Sequence, residues 1–111
     1  MKILLDECVD QRLRLQLTEY ECQTAVFAGF SGFKNGALLQ TAEEAGFDVL
    51  ITTDQQIPSQ QNLKARRIAI IILCAPENRL ADLTALVPHV AVTLGKVRAG
   101  AVIRIGDSSS R

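Results

Sequence analysis

The chain has no tryptophan, one tyrosine and one histidine among its 111 residues. Without tryptophan, and with Tyr20 alone, it lacks the aromatic platforms on which single strands are held by base stacking. A zinc site needs clustered ligands, and neither lone His89 nor the three cysteines, which form no Cys-x-x-Cys pair, offer them. Cys8, Cys22 and Cys74 are an odd number, as expected of free thiols in a reducing compartment. Net charge is absent too, because Lys plus Arg equals Asp plus Glu at 12 each. No global basic field exists, so any contact with nucleic acid needs a local patch. No apolar run approaches the ~20 residues of a membrane span, and no basic-plus-apolar leader precedes Met1-Lys2. The expectation is a cytoplasmic protein without a membrane partner. Finally, there is no G-x-x-x-x-G-K loop and no G-x-G-x-x-G, which removes most of the support for a nucleotide-dependent activity.

What is present is an alternation of short apolar runs with helical patterns. Ile3-Leu4-Leu5 stops abruptly on Asp6-Glu7 and reads as a buried strand. Asp10 can cap a helix starting near Gln11, with Leu13 and Leu17 on its buried face. Cys22 to Val26 reads as a second strand, which the handedness rule for parallel crossovers places beside the first. The stretch 27–34 is irregular: two glycines break it, and three phenylalanines make it unusually apolar for a loop. Phe27, Phe30 and Phe33 either plug the end of the sheet or form a surface for a partner or substrate. Asn35 is a good N-cap for a helix over 36–45, with Leu38, Leu39 and Ala42 inward and Gly46 as its stop. Phe47 to Thr52 is the third strand, and Pro58 is placed to begin a short helical turn over 59–63. The run Ile68 to Leu73 is continuous and β-branched, as in a strand buried on both faces. Asn78 can cap a helix carrying Leu80, Leu83, Leu86 and Val87. Pro88 should break that pattern, giving a second helix from about 89 to 97. Ala101 to Ile105 reads as the last strand. The expected architecture is one α/β domain over 1–106, a sandwich with a mostly parallel sheet of about five strands, and a frayed tail over 107–111.

If strands one and three are parallel neighbours, Asp6, Glu7 and Asp54 leave one sheet at the same carboxyl edge, where open α/β sheets bind ligands. Converging carboxylates suit a hard divalent ion such as Mg²⁺ or Mn²⁺. Such an ion activates water beside a phosphodiester. Asp6 and Asp54 are the expected metal ligands, with Glu7 as a third. Thr52 and Thr53 can donate to a phosphate or orient Asp54. Glu43, or its neighbour Glu44, is a more distant candidate on the helix after Asn35. Lys64, Arg66 and Arg67 form a basic cluster able to position a nucleic-acid backbone. Purely structural roles compete with each of these. Asp6 and Glu7 can cap the next helix, Asp54 can close a turn on its own backbone, and the glutamates and basic residues can be solvated faces. Cys8 beside the carboxylates has no nearby histidine to activate it, so a buried thiol is expected rather than a nucleophile.

Lys2-Ile3-Leu4-Leu5-Asp6-Glu7-Cys8-Val9, Lys34-Asn35-Gly36-Ala37-Leu38-Leu39, and Leu50-Ile51-Thr52-Thr53-Asp54 followed by Gln60-Gln61-Asn62-Leu63 resemble a branch of small bacterial PIN-like proteins. The likeness covers nearly the whole chain. It implies a PIN-like three-layer sandwich and a metal-dependent ribonuclease, with RNA as substrate. The protein would then be the toxin of a toxin–antitoxin pair, with a small antitoxin-like partner and homodimer formation. The first acidic position of the family falls on Asp6, and its Thr-x-Asp block on Thr52-Thr53-Asp54. Two positions depart from the pattern. Asn35 stands where relatives often have aspartate, and Gln56 where they often have a second acidic residue. Both are expected to order water or phosphate without supplying charge. The alternative the departures raise is a catalytically degenerate PIN-like module that binds RNA or a protein.

Overall fold

The computed structural model describes residues 1–33, 35–55, 66–75 and 79–106, with the side chain of Asn35 excepted. The helical turn expected over 59–63, the Asn78 cap, the 107–111 tail, Gln56 and Lys64 lie outside the described residues.

The elements run β1 (Lys2–Leu5), a 3-10 helix (Gln11–Gln16), β2 (Glu21–Thr24), α1 (Asn35–Glu44), β3 (Val49–Thr52), β4 (Ala69–Cys74), α2 (Leu80–Thr84), α3 (Val87–Leu94) and β5 (Val102–Gly106). All five strands are parallel, in the order β2-β1-β3-β4-β5. The expected neighbours therefore are neighbours: Ile3 is level with Val49 and Leu5 with Ile51, and Leu5 is level with Thr24. β4 is interior and buried along its whole length. The chain continues outward on one side of β1 and then returns to place β3 on the other. The reversal of strand order thus falls between β1 and β3, the position where doubly wound sheets open a crevice at their carboxyl edge.

The side-chain period of two divides the core into two layers. Ile3, Leu5, Val49, Ile51, Ile71 and Leu73 face the 3-10 helix, α2 and α3 through Leu13, Leu83, Val90 and Leu94. Leu4, Leu50, Ile70 and Ile72 face α1 through Leu38, Leu39 and Ala42. The β1–β2 and β4–β5 crossovers thus lie on the same face yet travel in opposite directions along the sheet. The α1 crossover, travelling toward β5 on the opposite face, shares the hand of the β1–β2 crossover. The β4–β5 crossover consequently has the reverse hand, a rare arrangement for parallel strands. It also leaves Val102 and Arg104 exposed on the α1 side of β5.

Several local details differ from expectation, the first being that β2 covers Glu21–Thr24 rather than 22–26, with Val26 exposed in the following turn. The segment after Asp10 is 3-10 rather than α-helical. Its only buried member is Leu13, while Leu15 is 60% exposed, so no continuous apolar stripe holds a longer helix. Asp10 does cap it, accepting Arg12 N–H at 2.9 Å. Two helices do form, but the break falls at Ala85 and Leu86, and Pro88 sits in the first turn of α3, which runs Val87–Leu94 rather than 89–97. That position tolerates proline because its missing N–H would be unpaired anyway. Finally, Phe47 precedes β3 instead of belonging to it. It closes the α1 end, where its N–H donates to Ala42 O at 3.0 Å.

Candidate functional site

β1 and β3 end side by side, and their exit residues are bonded to one another. Asp6 N–H donates to Ile51 O at 2.9 Å, which carries the ladder one step past the strands. Thr52 is fully buried, and its hydroxyl donates to Asp6 Oδ2 at 2.8 Å. The same oxygen accepts Asp54 N–H at 3.0 Å. Thr52 Oγ1 is therefore the pin that fixes the Asp6 carboxylate and the Asp54 backbone at the switch point. Asp6 Oδ1 accepts Glu7 N–H at 2.7 Å. Each Asp6 oxygen has one protein donor and keeps a second lone pair for a ligand.

Glu7 turns away from this pair. Its Oε2 accepts Ser31 O–H at 2.9 Å and its Oε1 accepts Gly32 N–H at 3.0 Å. Gly32 has φ +88°, a left-handed conformation that glycine adopts without penalty. Glu7 thereby clamps the loop between β2 and α1 over the carboxyl edge. Within that loop only Phe30 plugs the fold, stacked at 6.0 Å on Phe33 and edge-on at 6.0 Å to Phe47. Phe27 is 78% exposed, Val26 59% and Phe33 42%, so the loop also presents an apolar surface.

Cys8 is exposed, contrary to the buried thiol expected from the sequence. The chain turns outward after β1, so only Val9 goes back into the core. Even so, the sulfur stays at the site: Sγ lies 3.3 Å from Thr52 Oγ1 and accepts Thr53 N–H at 3.4 Å. All three cysteines are free thiols, as expected.

The remaining candidates lie elsewhere. α1 runs antiparallel to the strands, so its last turn and Glu43 are at the amino edge, about 13 Å from the Asp6 end by strand rise. There Glu43 Oε2 accepts Arg67 N–H at 2.6 Å and Ile68 N–H at 3.0 Å, and Oε1 pairs with Arg66 Nη1 at 3.3 Å. Burial pushes its pKa up, but the Ile68 and Arg67 N–H bonds and Arg66 outweigh that, and the net shift is downward. Glu43 thus holds the entry to β4 and is not placed to support the aspartates. Arg66 is committed to it and to Gln40 Oε1 at 3.0 Å. Arg67 keeps an exposed side chain at this same amino edge. Asn35 opens α1 at the carboxyl edge, on the site's side of the sheet.

The donor set at the switch point fits a hard cation in one limited form. Mg²⁺ is commonly held by one or two carboxylates while keeping waters and substrate phosphate; Asp6 and Asp54 are the two carboxylate residues at this edge bonded to Thr52. Among the described residues no three Asp, Glu, His or Cys side chains converge as a metal-binding group, and Glu7 is already bonded to the loop. The sequence offered Thr52 as a residue orienting Asp54, but two contacts were missed: Glu7 as the loop anchor and Glu43 as the β4 clamp. Only the last had a sequence signal, since Glu43 follows Leu39 by four residues and so shares its inward stripe. No helix among the described residues is long and apolar enough to cross a membrane.

Comparison with protein-family models, with curated proteins and with solved structures finds no match to this chain.

Proposed function

We propose that the protein is a metal-dependent nuclease of PIN-like type that hydrolyses RNA phosphodiesters at the β1–β3 switch point. The observation that carries this reading is that the Thr52 hydroxyl bonds both the Asp6 carboxylate and the Asp54 backbone N–H at the carboxyl edge. Asp6 and Asp54 are the residues that would hold Mg²⁺ or Mn²⁺, which lowers the pKa of bound water and neutralises charge developing on phosphate. Thr52 holds the Asp6 carboxylate and the backbone N–H of Asp54, so the Asp6 carboxylate needs little reorganisation when a ligand arrives. Glu7 contributes by ordering the 27–33 loop beside the site rather than as a ligand. The Asn35 end of α1 lies on the same side of the sheet. A helix N-terminus there favours an approaching phosphate. The toxin role, with a small antitoxin-like partner, belongs to the same reading and rests on the sequence resemblance.

A second reading is favoured by two other observations, the diversion of Glu7 and the exposed Val26, Phe27 and Phe33. On it, the protein is a catalytically weak PIN-like module that binds RNA or a protein partner. Incubation of a fluorescent RNA library with wild type and Asp6→Asn in Mn²⁺ separates the two. The nuclease reading expects metal-dependent cleavage by wild type and its loss in a folded variant. RNA binding without cleavage, unchanged by the substitution, favours the module.

A further inference from the structure

The amino edge of the sheet carries a feature that the carboxylate site does not use. Between the start of β3, the start of β4 and the turn after α3 lies a cavity of about 340 Å³. Its floor is Val49 and Ala69, both almost fully buried. Its polar walls are Asp48, Arg67 and Arg98. The volume is at the small end of the range for ligand sites, and a small floor of apolar atoms with a few polar groups is their usual chemistry.

Two arginines line this cavity. Arg12 pairs with Asp10, Arg66 with Glu43 and Arg79 with Asp82. Arg67 and Arg98 have no acidic or carbonyl partner among the described residues, although both stand on rigid backbone. Gly100 N–H donates to Arg67 O at 2.9 Å and Ala101 N–H to Arg98 O at 3.1 Å. Gly100 has φ +79°, and a Cβ there would lie 2.8 Å from Arg66 O. The close approach of these two segments therefore requires glycine, and it is this approach that brings Arg98 beside Arg67. Both arginines line the same cavity, and a guanidinium binds phosphate oxygens in a bidentate fork. Asp48 is the only carboxylate lining the cavity among the described residues. Its Oδ2 accepts Lys2 N–H at 2.8 Å, and a carboxylate retains further acceptor capacity. It would repel a bare phosphate but accept a hydroxyl proton from the body that carries one.

We infer that the Asp48–Arg67–Arg98 cavity is a binding site for a small phosphate monoester on a hydroxylated body, either a sugar phosphate or a nucleoside monophosphate. Arg67 and Arg98 take the phosphate and Asp48 takes a ribose or sugar hydroxyl. The apolar remainder rests on Val49 and Ala69. No phosphate loop is involved. The site lies across the sheet from Asp6 and stands whether or not the protein cleaves RNA.

The test is calorimetric titration of metal-free full-length protein with AMP, ribose 5-phosphate, inorganic phosphate and adenosine, with amide chemical shifts followed in parallel. AMP or ribose 5-phosphate should bind saturably and more tightly than inorganic phosphate, and adenosine least. Shifts should be confined to Asp48, Ala69 and residues 97–101. A preference for AMP over ribose 5-phosphate identifies a nucleotide, and equal binding identifies the sugar phosphate. Arg67→Gln with Arg98→Gln should weaken binding at least about tenfold with the thermal midpoint unchanged. Asp48→Asn should erase the preference over inorganic phosphate. No binding by any phosphate ester at millimolar concentration overturns the inference, as does binding unaffected by the arginine substitutions. Binding of an RNA oligonucleotide at these arginines without binding of the monoesters also overturns it and assigns the pair to a nucleic-acid backbone.

Discussion

Thr52 does more at the carboxyl edge than either aspartate. It is fully buried, donates to Asp6 and accepts from Asp54, so its hydroxyl cannot be replaced by a methyl group without freeing both. Thr52→Val should cost about 1–3 kcal/mol, because Asp54 N–H loses its acceptor. It should also raise the dissociation constant for Mn²⁺ while leaving both carboxylates present. Urea unfolding and metal titration on the same preparation check the two effects. Glu43 makes an opposite kind of prediction. Its pKa is lowered in the fold, so its stabilisation is complete above the unfolded value near 4.5 and is lost as pH falls through the folded value. Glu43→Gln should therefore be less stable than wild type at pH 7, by about 2 kcal/mol. The gap in urea midpoint should narrow as the solution is acidified through the carboxylate range. The cysteines give a third check. Burial pushes the Cys22 thiol up to about 11, with Arg14 opposing weakly, and Cys74 is almost fully buried. At pH 8 the native protein should show one thiol reacting rapidly with Ellman's reagent, namely Cys8, and all three after denaturation. Two fast native thiols would contradict the packing of β2.

At the scale of elements, legibility followed the strength of the apolar pattern. The continuous run at β4 and the Leu38–Leu39–Ala42 stripe of α1 both folded as their periodicity implies, since burial on two faces or one stripe leaves few alternatives. The segment after Asp10 was legible only as helical, because a cap and one buried leucine do not distinguish 3-10 from α. The 27–33 loop was ambiguous for a different reason. Its phenylalanines are alike in sequence, yet only Phe30 meets Phe47, and that meeting depends on where α1 ends. The carboxyl-edge aspartates were legible because strand ends and carboxylates coincide in sequence. The Glu7 clamp was not, because its partners are 24 and 25 residues away. The turn from α3 to β5 carries its own prediction. Gly100→Ala places a Cβ against Arg66 O in a left-handed backbone, which should destabilise the protein by more than about 1 kcal/mol. A thermal midpoint equal to wild type would show that the two segments are not held together as described.

For the molecule as a whole, a zero net charge says nothing of how the charged groups divide between the two edges of the sheet. The strands run parallel, so every strand start lies at one edge and every strand end at the other. Asp6 and Asp54 stand at the ends, whereas Glu43, Asp48, Arg67 and Arg98 stand at the starts. A composition count averages this away, whereas topology separates it. The reverse-handed β4–β5 crossover was equally hidden, because the pattern of residues 79–106 fixes two helices and a strand but not the face on which they pass. The switch point between β1 and β3 is what brings Asp6 and Asp54 to neighbouring strand ends, the premise of the proposed ligand site. The most direct test is calorimetric titration of Mn²⁺ into wild type and into Asp6→Asn with Asp54→Asn, both shown to be folded. Saturable binding by wild type, lost in the double variant, is the predicted result. Absence of binding in wild type, or equal binding in both, would contradict a metal site at this edge.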